Sequence, residues 1–488
     1  AARAVLYRAV AGAVETFLAI ARERDRVVPR FVEREFRAYL ECGILAHGFL
    51  RVHCDACGHD RLVPFSCKGR GFCPSCGGRR MADTAAHLVD GVFPEVPVRQ
   101  WVLTVPVSLR YLMAFDAGLT AEVLRAFVRV LFASLRRRAR ERQKIRYADA
   151  GAVTFVQRFG DALNLNVHFH ALALDGVFDA DDPGELGFVP LDPPDDAEIL
   201  RVARGFARRL ASLLERRGLG VESDAGDTDP LVRDQPLMAE LCGASVRGRV
   251  ATGPRAGQRL RRREDRIDVE HLLDTRPPGC VSIGGISVHA AVAVPARDRR
   301  RLERLCRYAA RPALAAERLC LDPDGRLVYR LRHRWRDGTT HLLLDPLELM
   351  ERLAVLVPPP RFHLVRYHGI LAPRAAWRDR VVPAVPRPHE NPDSSGTPRT
   401  GAAAPDQQAA GRETAPAQRG RRLPWAKLLQ RVFGAEALTC PRCGRPMRIL
   451  AAIQSPAAIR AILECLGLPP RPPPVAPPAV DRLLSADA

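Results

Sequence analysis

The sequence predicts an α+β protein: a helical, cysteine-bearing amino-terminal module, then a larger domain in which helices surround a sheet. Three observations lead there. Residues 3–24 and 29–42 carry apolar residues at helical spacing and run up to Gly43, a helix stop. Cys54-x-x-Cys57 and Cys73-x-x-Cys76 stand fifteen residues apart, the spacing of a structural metal site. Trp101–Val107, Ala152–Gly160 and the stretch from Leu163 to Phe178 are apolar and rich in β-branched or aromatic residues, so they read as strands.

Bulk properties narrow the class. A chain of 488 residues holds two or three domains with cores of their own, and 47% hydrophobic content excludes wholesale disorder. No stretch reaches the roughly 18 apolar residues of a membrane span. No secretory signal is visible, and the chain opens on Ala1, so the true start is expected to lie upstream. Thirteen cysteines, an odd number without a leader, favour reduced thiols and metal sites in a cytoplasm over a disulfide framework. A net charge of +20, carried mostly by arginine, implies a polyanionic partner, most simply nucleic acid.

In the cysteine module, two-residue spacing lets a tight turn aim both thiolates at one ion, and four sulfurs close a tetrahedron. Cys54, Cys57, Cys73 and Cys76 are therefore the expected zinc ligands, with Cys67, His53 and His59 as substitutes. The bland alternative is free cysteines in a turn-rich loop. Arg61, Lys68, Arg70, Arg79 and Arg80 make this segment basic, suited to phosphates.

After Trp101–Val107, a helix is expected from Thr120 to Ile145. Its run Arg136 to Arg140 reads as a solvated face or a DNA contact. The strand Ala152–Gly160 follows, then Leu163–Phe178, with Asp175-Gly176 as a hairpin-type turn signal. Side chains alternate along a strand, so His168 and His170 share one face while Phe169 enters the core behind them. Two imidazoles so placed can grip a divalent ion; alternatively they are satisfied by neighbours. Gln157 is a candidate to lie near them.

Pro183–Asp268 is polar and loop-rich, with a helix near Ala197–Arg216. Val281–Val294 reads as a strand whose glycine pair suggests a bulge, and it carries His289. Arg297–Arg311 is helical, with Leu302, Leu305, Cys306 and Ala309 as its apolar stripe. Tyr308 lies beside that stripe, with Arg304 and Arg311 as helical neighbours and Arg301 one turn further. Such a tyrosine either packs with a wet hydroxyl or, among these cations, is a nucleophile with phosphate-holding groups in place. A hairpin (Leu327–Arg334, Thr339–Leu344) and a helix (Leu347–Val357) complete the domain. From about Val382 to Gly420 the composition is that of a disordered linker. A helix over Leu423–Phe433 precedes Cys440-Pro-Arg-Cys443-Gly444, half of a metal knuckle. That half reads as a second metal site, as a turn stable without metal, or as a site shared between two chains.

Four segments, in order, resemble the bacterial rolling-circle insertion-sequence transposases of the IS91 type. They are VPFSCKGRGFCPSCGGRRM (Val63–Met81), ALNLNVHFHALALDGVF (Ala162–Phe178), LERLCRYAARPALAAERL (Leu302–Leu319) and PPPRFHLVRYHGILAP (Pro358–Pro373). The Cys440–Cys443 tail is also similar. The resemblance implies a zinc-binding, zinc-ribbon-like DNA-binding domain over 1–95 and an HUH endonuclease domain over 96–375 with a central antiparallel sheet. A disordered linker (376–420), a small helical module (421–470) and a disordered tail (471–488) would follow.

It further implies that Tyr308 cleaves single-stranded DNA at element ends, leaving a 5′-phosphotyrosine, with strand transfer by rolling-circle transposition. Mg²⁺ or Mn²⁺ would sit on His168 and His170, with His289 first and Gln157 second as third ligand. Arg301, Arg304 and Arg311 would hold phosphate beside Tyr308, and Arg70, Arg79 and Arg80 would contact DNA. Founding members carry a second tyrosine four residues earlier; here that position is Arg304, as in a single-tyrosine branch. Expected partners are element-end and target DNA, a second copy of the chain and host replication or helicase factors, with no membrane. The alternatives are a zinc-dependent DNA-binding remnant and a rolling-circle replication initiator.

Overall fold

The computed structural model describes residues 4–179, 186–219, 229–264, 279–335, 337–383 and 438–479. Helices α1 (Val5–Glu23) and α2 (Arg30–Glu41) form the expected amino-terminal pair. Their apolar faces meet through Phe17 and Phe36, ring centroids 6.2 Å apart, and Phe36 meets Phe72 of the cysteine loop at 4.9 Å. Strands β1 (Phe49–His53) and β2 (Asp60–Pro64) make a hairpin. Helix α3 (Pro74–Gly91) opens on a proline, whose missing N–H costs nothing in a first turn.

Strand β3 (Val98–Thr104) ends before Pro106 rather than reaching Val107, because proline cannot donate to a ladder. Val107 instead starts α4 (Val107–Phe115), followed by α5 (Ala117–Gln143), which Asp116 caps by accepting from the Leu119 N–H. Then come β4 (Ala148–Asp149), β5 (Gly151–Phe159), β6 (Leu165–Leu174), β7 (Gly176–Asp179) and β8 (Gly187–Pro190). Asp175 is not a hairpin turn. The chain bends there out of one sheet into the small β4-β7-β8 sheet, and the buried Arg99 guanidinium grips the Asp175 carboxylate at 2.7–3.0 Å.

The loop-rich stretch contains α6 (Asp196–Arg216), α7 (Pro230–Asp234), α8 (Pro236–Arg247) and β9 (Arg261–Glu264). Strands β10 (Cys280–Ile283) and β11 (Ile286–His289) are a hairpin whose turn is the glycine pair. Gly284 and Gly285 have φ of 53° and 78°, the left-handed values that a two-residue turn of this hand demands, so the expected bulge is a turn. The rest runs β12 (Ala293–Val294), α9 (Arg299–Ala309), β13 (Leu319–Leu321), β14 (Leu327–Arg330), β15 (Thr339–Leu344) and α10 (Pro346–Leu356). It ends with β16 (Val365–Gly369), α11 (Arg378–Val381), β17 (Arg448–Ile453) and α12 (Pro456–Cys465).

The central sheet has the order β10-β11-β3-β6-β5-β16, all pairs antiparallel, with β12 also on β3. The layout is α+β, as the sequence predicts. Strand β6 sits in the middle and is covered on both faces. Val167, Phe169, Ala171 and Ala173 enter one core, which includes Met113 of α4, Met238 of α8 and Leu349 and Leu353 of α10. Burying Phe169 alone contributes about 2–3 kcal/mol. Leu172 and Leu174 enter the other core, with Leu88 of α3 and Leu302, Leu305, Cys306 and Ala309 of α9.

The arginine run in α5 is solvated only in part: Arg136 and Arg140 are exposed, whereas Arg137 and Arg138 turn toward the protein. Arg136 donates to the Ala148 carbonyl at 2.9 Å, Arg137 pairs with the buried Glu198 of α6, and Arg138 is buried against the Asp192 carbonyl. The carboxy-terminal segment is likewise built in. β17 pairs with β1, and further on Ala476 and Ala479 donate backbone N–H groups to the Ala11 carbonyl and the Thr16 hydroxyl of α1. Most of the linker and the Leu423–Phe433 helix lie outside the described residues. No described helix is long and apolar enough to cross a membrane.

Candidate functional site

Antiparallel register fixes which side chains share a face. On β6, His168 faces Thr104 of β3 and Gln157 of β5; His170 faces Val102 and Phe155. Both histidines are buried, at 8% and 3% exposure, and their Nε2 atoms converge to 3.1 Å. Two nitrogens at that separation suit adjacent ligands of one ion with bonds of about 2.1 Å. Each outer nitrogen is already engaged: His168 Nδ1 lies 2.8 Å from the Asn166 carbonyl and His170 Nδ1 lies 2.7 Å from the Gln100 amide. Burial lowers the His168 pKa to about 4, opposed by the Asn166 carbonyl and aided by Arg311 and Arg110. His170 is lowered too, by burial first, then by His168 and Arg311. Neutral imidazoles are the metal-binding form.

The expected third ligand, His289, is not gathered with the pair. It stands opposite Val102, which on its other side faces His170, so it is two strands away, roughly 10 Å. Among the described residues, no third Cys, His, Asp or Glu joins the two histidines within metal-sharing distance. Gln157 is better placed. Its Nε2 donates to the Ala309 and Tyr308 carbonyls at 2.8 and 3.3 Å, satisfying carbonyls at the end of α9. That fixes the amide orientation and leaves Oε1 buried with no hydrogen-bond partner. A buried oxygen acceptor without a partner is costly unless something binds it, and a hard divalent cation takes such oxygens.

Helix α9 brings Tyr308 to the same face. Its ring meets His170 edge-on, centroids 5.6 Å apart. Two guanidinium groups lie over the ring: Arg311 at 5.0 Å and Arg332 at 4.8 Å. Arg301 and Arg304, expected there, stand exposed along α9 instead. Arg332, which sequence reasoning missed, arrives from the end of β14, where its N–H and that of His333 bond Asp161 at 2.7 and 3.2 Å. The Arg311 Nε is buried without a hydrogen-bond partner, and burial lowers its pKa against the opposing influence of Tyr308.

Beyond these cations lies a cavity of about 680 Å³ lined by Arg311, Arg318, Arg330, Arg332 and Phe159, with Asp161 on its wall. A smaller one, about 110 Å³, is lined by Gln157 and Arg311 together with Arg70 and Arg80 of the cysteine module. Arg79 does not share that wall; its guanidinium bonds the Ser66 hydroxyl at 2.6 Å.

The cysteines do not form the expected quartet. Cys73 and Cys76, at the start of α3, gather with Cys42 from the end of α2 and with Cys67; Cys54 and Cys57 gather with Cys440 and Cys443. The reason is geometric. Cys54 and Cys57 lie at the β1–β2 turn, whereas Cys73 and Cys76 are held on α3, whose Phe72–Phe36 contact draws them to α2. His53 is turned to Asp60 at 2.7 Å and joins neither group.

Residues 14–105 match the family model described as "Transposase zinc-binding domain", and residues 151–378 match that described as "Putative transposase". No curated protein and no solved structure matches the chain.

Proposed function

Because the chain belongs to the IS91-type transposases, DNA-processing enzymes with a structural zinc domain, we propose that it nicks single-stranded DNA at element ends through Tyr308 and transfers the strand by rolling-circle transposition. The observation that carries this reading is the meeting of Tyr308, the buried His168–His170 pair and two arginines on one face of the central sheet.

The nucleophile would be the Tyr308 oxygen. A phenol is a weak nucleophile until its proton leaves, and Arg311 and Arg332, over its ring, are placed to hold the scissile phosphate against it. A bond forms between the phenolic oxygen and phosphorus, and the bond from phosphorus to the 3′ oxygen breaks. The phenolic proton leaves to solvent, and the departing oxygen takes one up as a free 3′-hydroxyl. The product is a 5′-phosphotyrosine, whose bond energy lets a later 3′-hydroxyl restore a phosphodiester without ATP.

His168, His170 and the Gln157 Oε1 fit a Mg²⁺ or Mn²⁺ ion; when bound, it would polarise the scissile phosphate and offset the charge that develops there. Gln157 thus takes the role first expected of His289. The basic cavity beside Tyr308, with Phe159 on its wall, is the proposed channel for the strand, combining cations for the backbone with an aromatic face for a base. Arg70 and Arg80 extend that cationic wall from the zinc module.

The test is a denaturing gel of the protein with labelled single-stranded element ends and Mn²⁺, run beside Tyr308→Phe. A covalent band in the unmodified protein that disappears in the variant is expected. Persistence of the band would move the nucleophile, with Tyr367 of β16 next in line. Binding without any band would reduce the protein to a zinc-dependent DNA binder.

A further inference from the structure

We propose that each chain holds two zinc ions, and that the second is a clasp, built from Cys54, Cys57, Cys440 and Cys443, that fastens the carboxy-terminal segment 438–479 to the amino-terminal module. The site is assembled from cysteine pairs 383 to 389 residues apart. It is independent of the cleavage reading: neither Tyr308 nor the histidines take part.

Distances support two separate tetrathiolates. Four sulfurs at 2.3 Å from one zinc lie about 3.8 Å from each other. In the first group, Cys42 Sγ is 3.8 Å from both Cys73 Sγ and Cys76 Sγ, and Cys67 Sγ is 3.4 Å from Cys76 Sγ. In the second, Cys54 Sγ lies 3.5 Å from Cys443 Sγ, and Cys57 Sγ lies 3.5 Å from Cys440 Sγ. These separations are far longer than a disulfide bond and close to the edge of a zinc tetrahedron.

The backbone around the second group is the stronger argument. Both halves are Cys-x-x-Cys-Gly and fold alike. The Cys54 N–H bonds the His59 carbonyl at 2.9 Å, and the Cys440 N–H bonds the Arg445 carbonyl at 2.8 Å. Gly58 N–H returns to the Cys54 carbonyl and Gly444 N–H to the Cys440 carbonyl, each at 2.9 Å. The two glycines share the same left-handed backbone, φ 69° and 70°. Two matched turns thus present two thiols each to one point, the arrangement of a closed tetrahedral site.

The surrounding core also calls for a metal. The cluster at this site has four buried members, Val52, Cys54, Cys440 and Met447, and two of those are the thiols themselves. A core that small does not close this corner by apolar burial, and small modules of this kind are stapled by metal; a separate small cluster, Phe49 with Ile459 and Leu463, packs α12 on the amino-terminal module. The β1–β17 ladder and the exposed Arg448–Asp55 ion pair at 2.8 Å align the segment, but exposed pairs of that kind contribute little.

The full chain, expressed with zinc, is measured for zinc per protein, and a parallel sample is loaded with ¹¹³Cd for NMR. Two zinc ions per chain and two cadmium resonances in the all-thiolate range are expected. Cys440→Ser/Cys443→Ser should carry one zinc and keep the resonance of the Cys42–Cys76 group. One zinc or one resonance in the unmodified chain overturns the proposal, whether or not the variant folds; so does a variant that retains two.

Discussion

The ring of Tyr308, on α9, stands edge-on to the ring of His170, on β6, at a centroid distance of 5.6 Å and an interplanar angle of 83°. A helix residue and a strand residue far apart in the chain thereby come within one phosphate of each other. The contact is set by Leu305, Cys306 and Ala309 packing on the sheet, and by Gln157 holding the helix end. The environment of the tyrosine therefore depends on what surrounds that pair.

Gln100 should set the metal affinity of the site without touching the metal. It lies 2.7 Å from His170 Nδ1; with its amide turned so that Oε1 accepts, it holds that nitrogen protonated and frees Nε2 for an ion. Gln100→Ala is expected to weaken Mn²⁺ binding about 10–100-fold, measured by calorimetry on the protein without DNA. Unchanged affinity would remove Gln100 from the site.

Arg332 should act on DNA rather than on stability. Its side chain is exposed over the Tyr308 ring at the mouth of the large cavity. Arg332→Ala is expected to lower single-strand affinity at every sequence and reduce the slope of log K against log salt by about 0.7. The melting temperature should move little. A slope identical to that of the unmodified protein would mean that no phosphate meets this residue.

His368 gives an acid-sensitivity with a definite sign. Burial, and then the Arg366 cation, hold its pKa at about 4, and its Nε2 is buried without a hydrogen-bond partner. Unfolded histidine titrates near 6.5, so between pH 6.5 and 4 the unfolded chain takes up a proton that the folded chain declines. Stability from this residue is complete above pH 6.5 and is lost as pH falls through that window, by up to about 3 kcal/mol. Urea unfolding of His368→Asn beside the unmodified protein should show the difference between them shifting in favour of the variant from pH 7 to pH 4. Parallel profiles would contradict this; the titrations of His168 and His170 occur in both proteins and cancel.

Local periodicity was enough to place β5, β6 and α9 and to put His168 and His170 on one face, because alternation and helical spacing are properties of a few adjacent residues. What it could not supply was which distant segments meet. Cys54–Cys57 and Cys73–Cys76 fit a single four-thiol site by spacing, yet Cys42 and Cys67 claim one pair and Cys440 and Cys443 the other. The available signal was weak: nine cysteines lay outside the expected quartet, and of these only Cys440-x-x-Cys443 repeated its two-residue spacing. Arg332 was invisible for the same reason. Sequence offers Tyr308 only its neighbours along α9, whereas the cation that covers it comes from beyond a neighbouring strand, held by Asp161. His289 failed because sharing a sheet face is not proximity; one intervening strand, with Val102, is enough to separate it.

Strand β1 lies between β2 and β17, and the last of these is made nearly four hundred residues after the first. On a ribosome, β1 therefore emerges long before β17 and keeps an open strand edge and two thiols without their partners until those further residues have been made. A message broken anywhere in between yields a product whose beginning cannot close, so exposure to proteases falls first on incomplete copies.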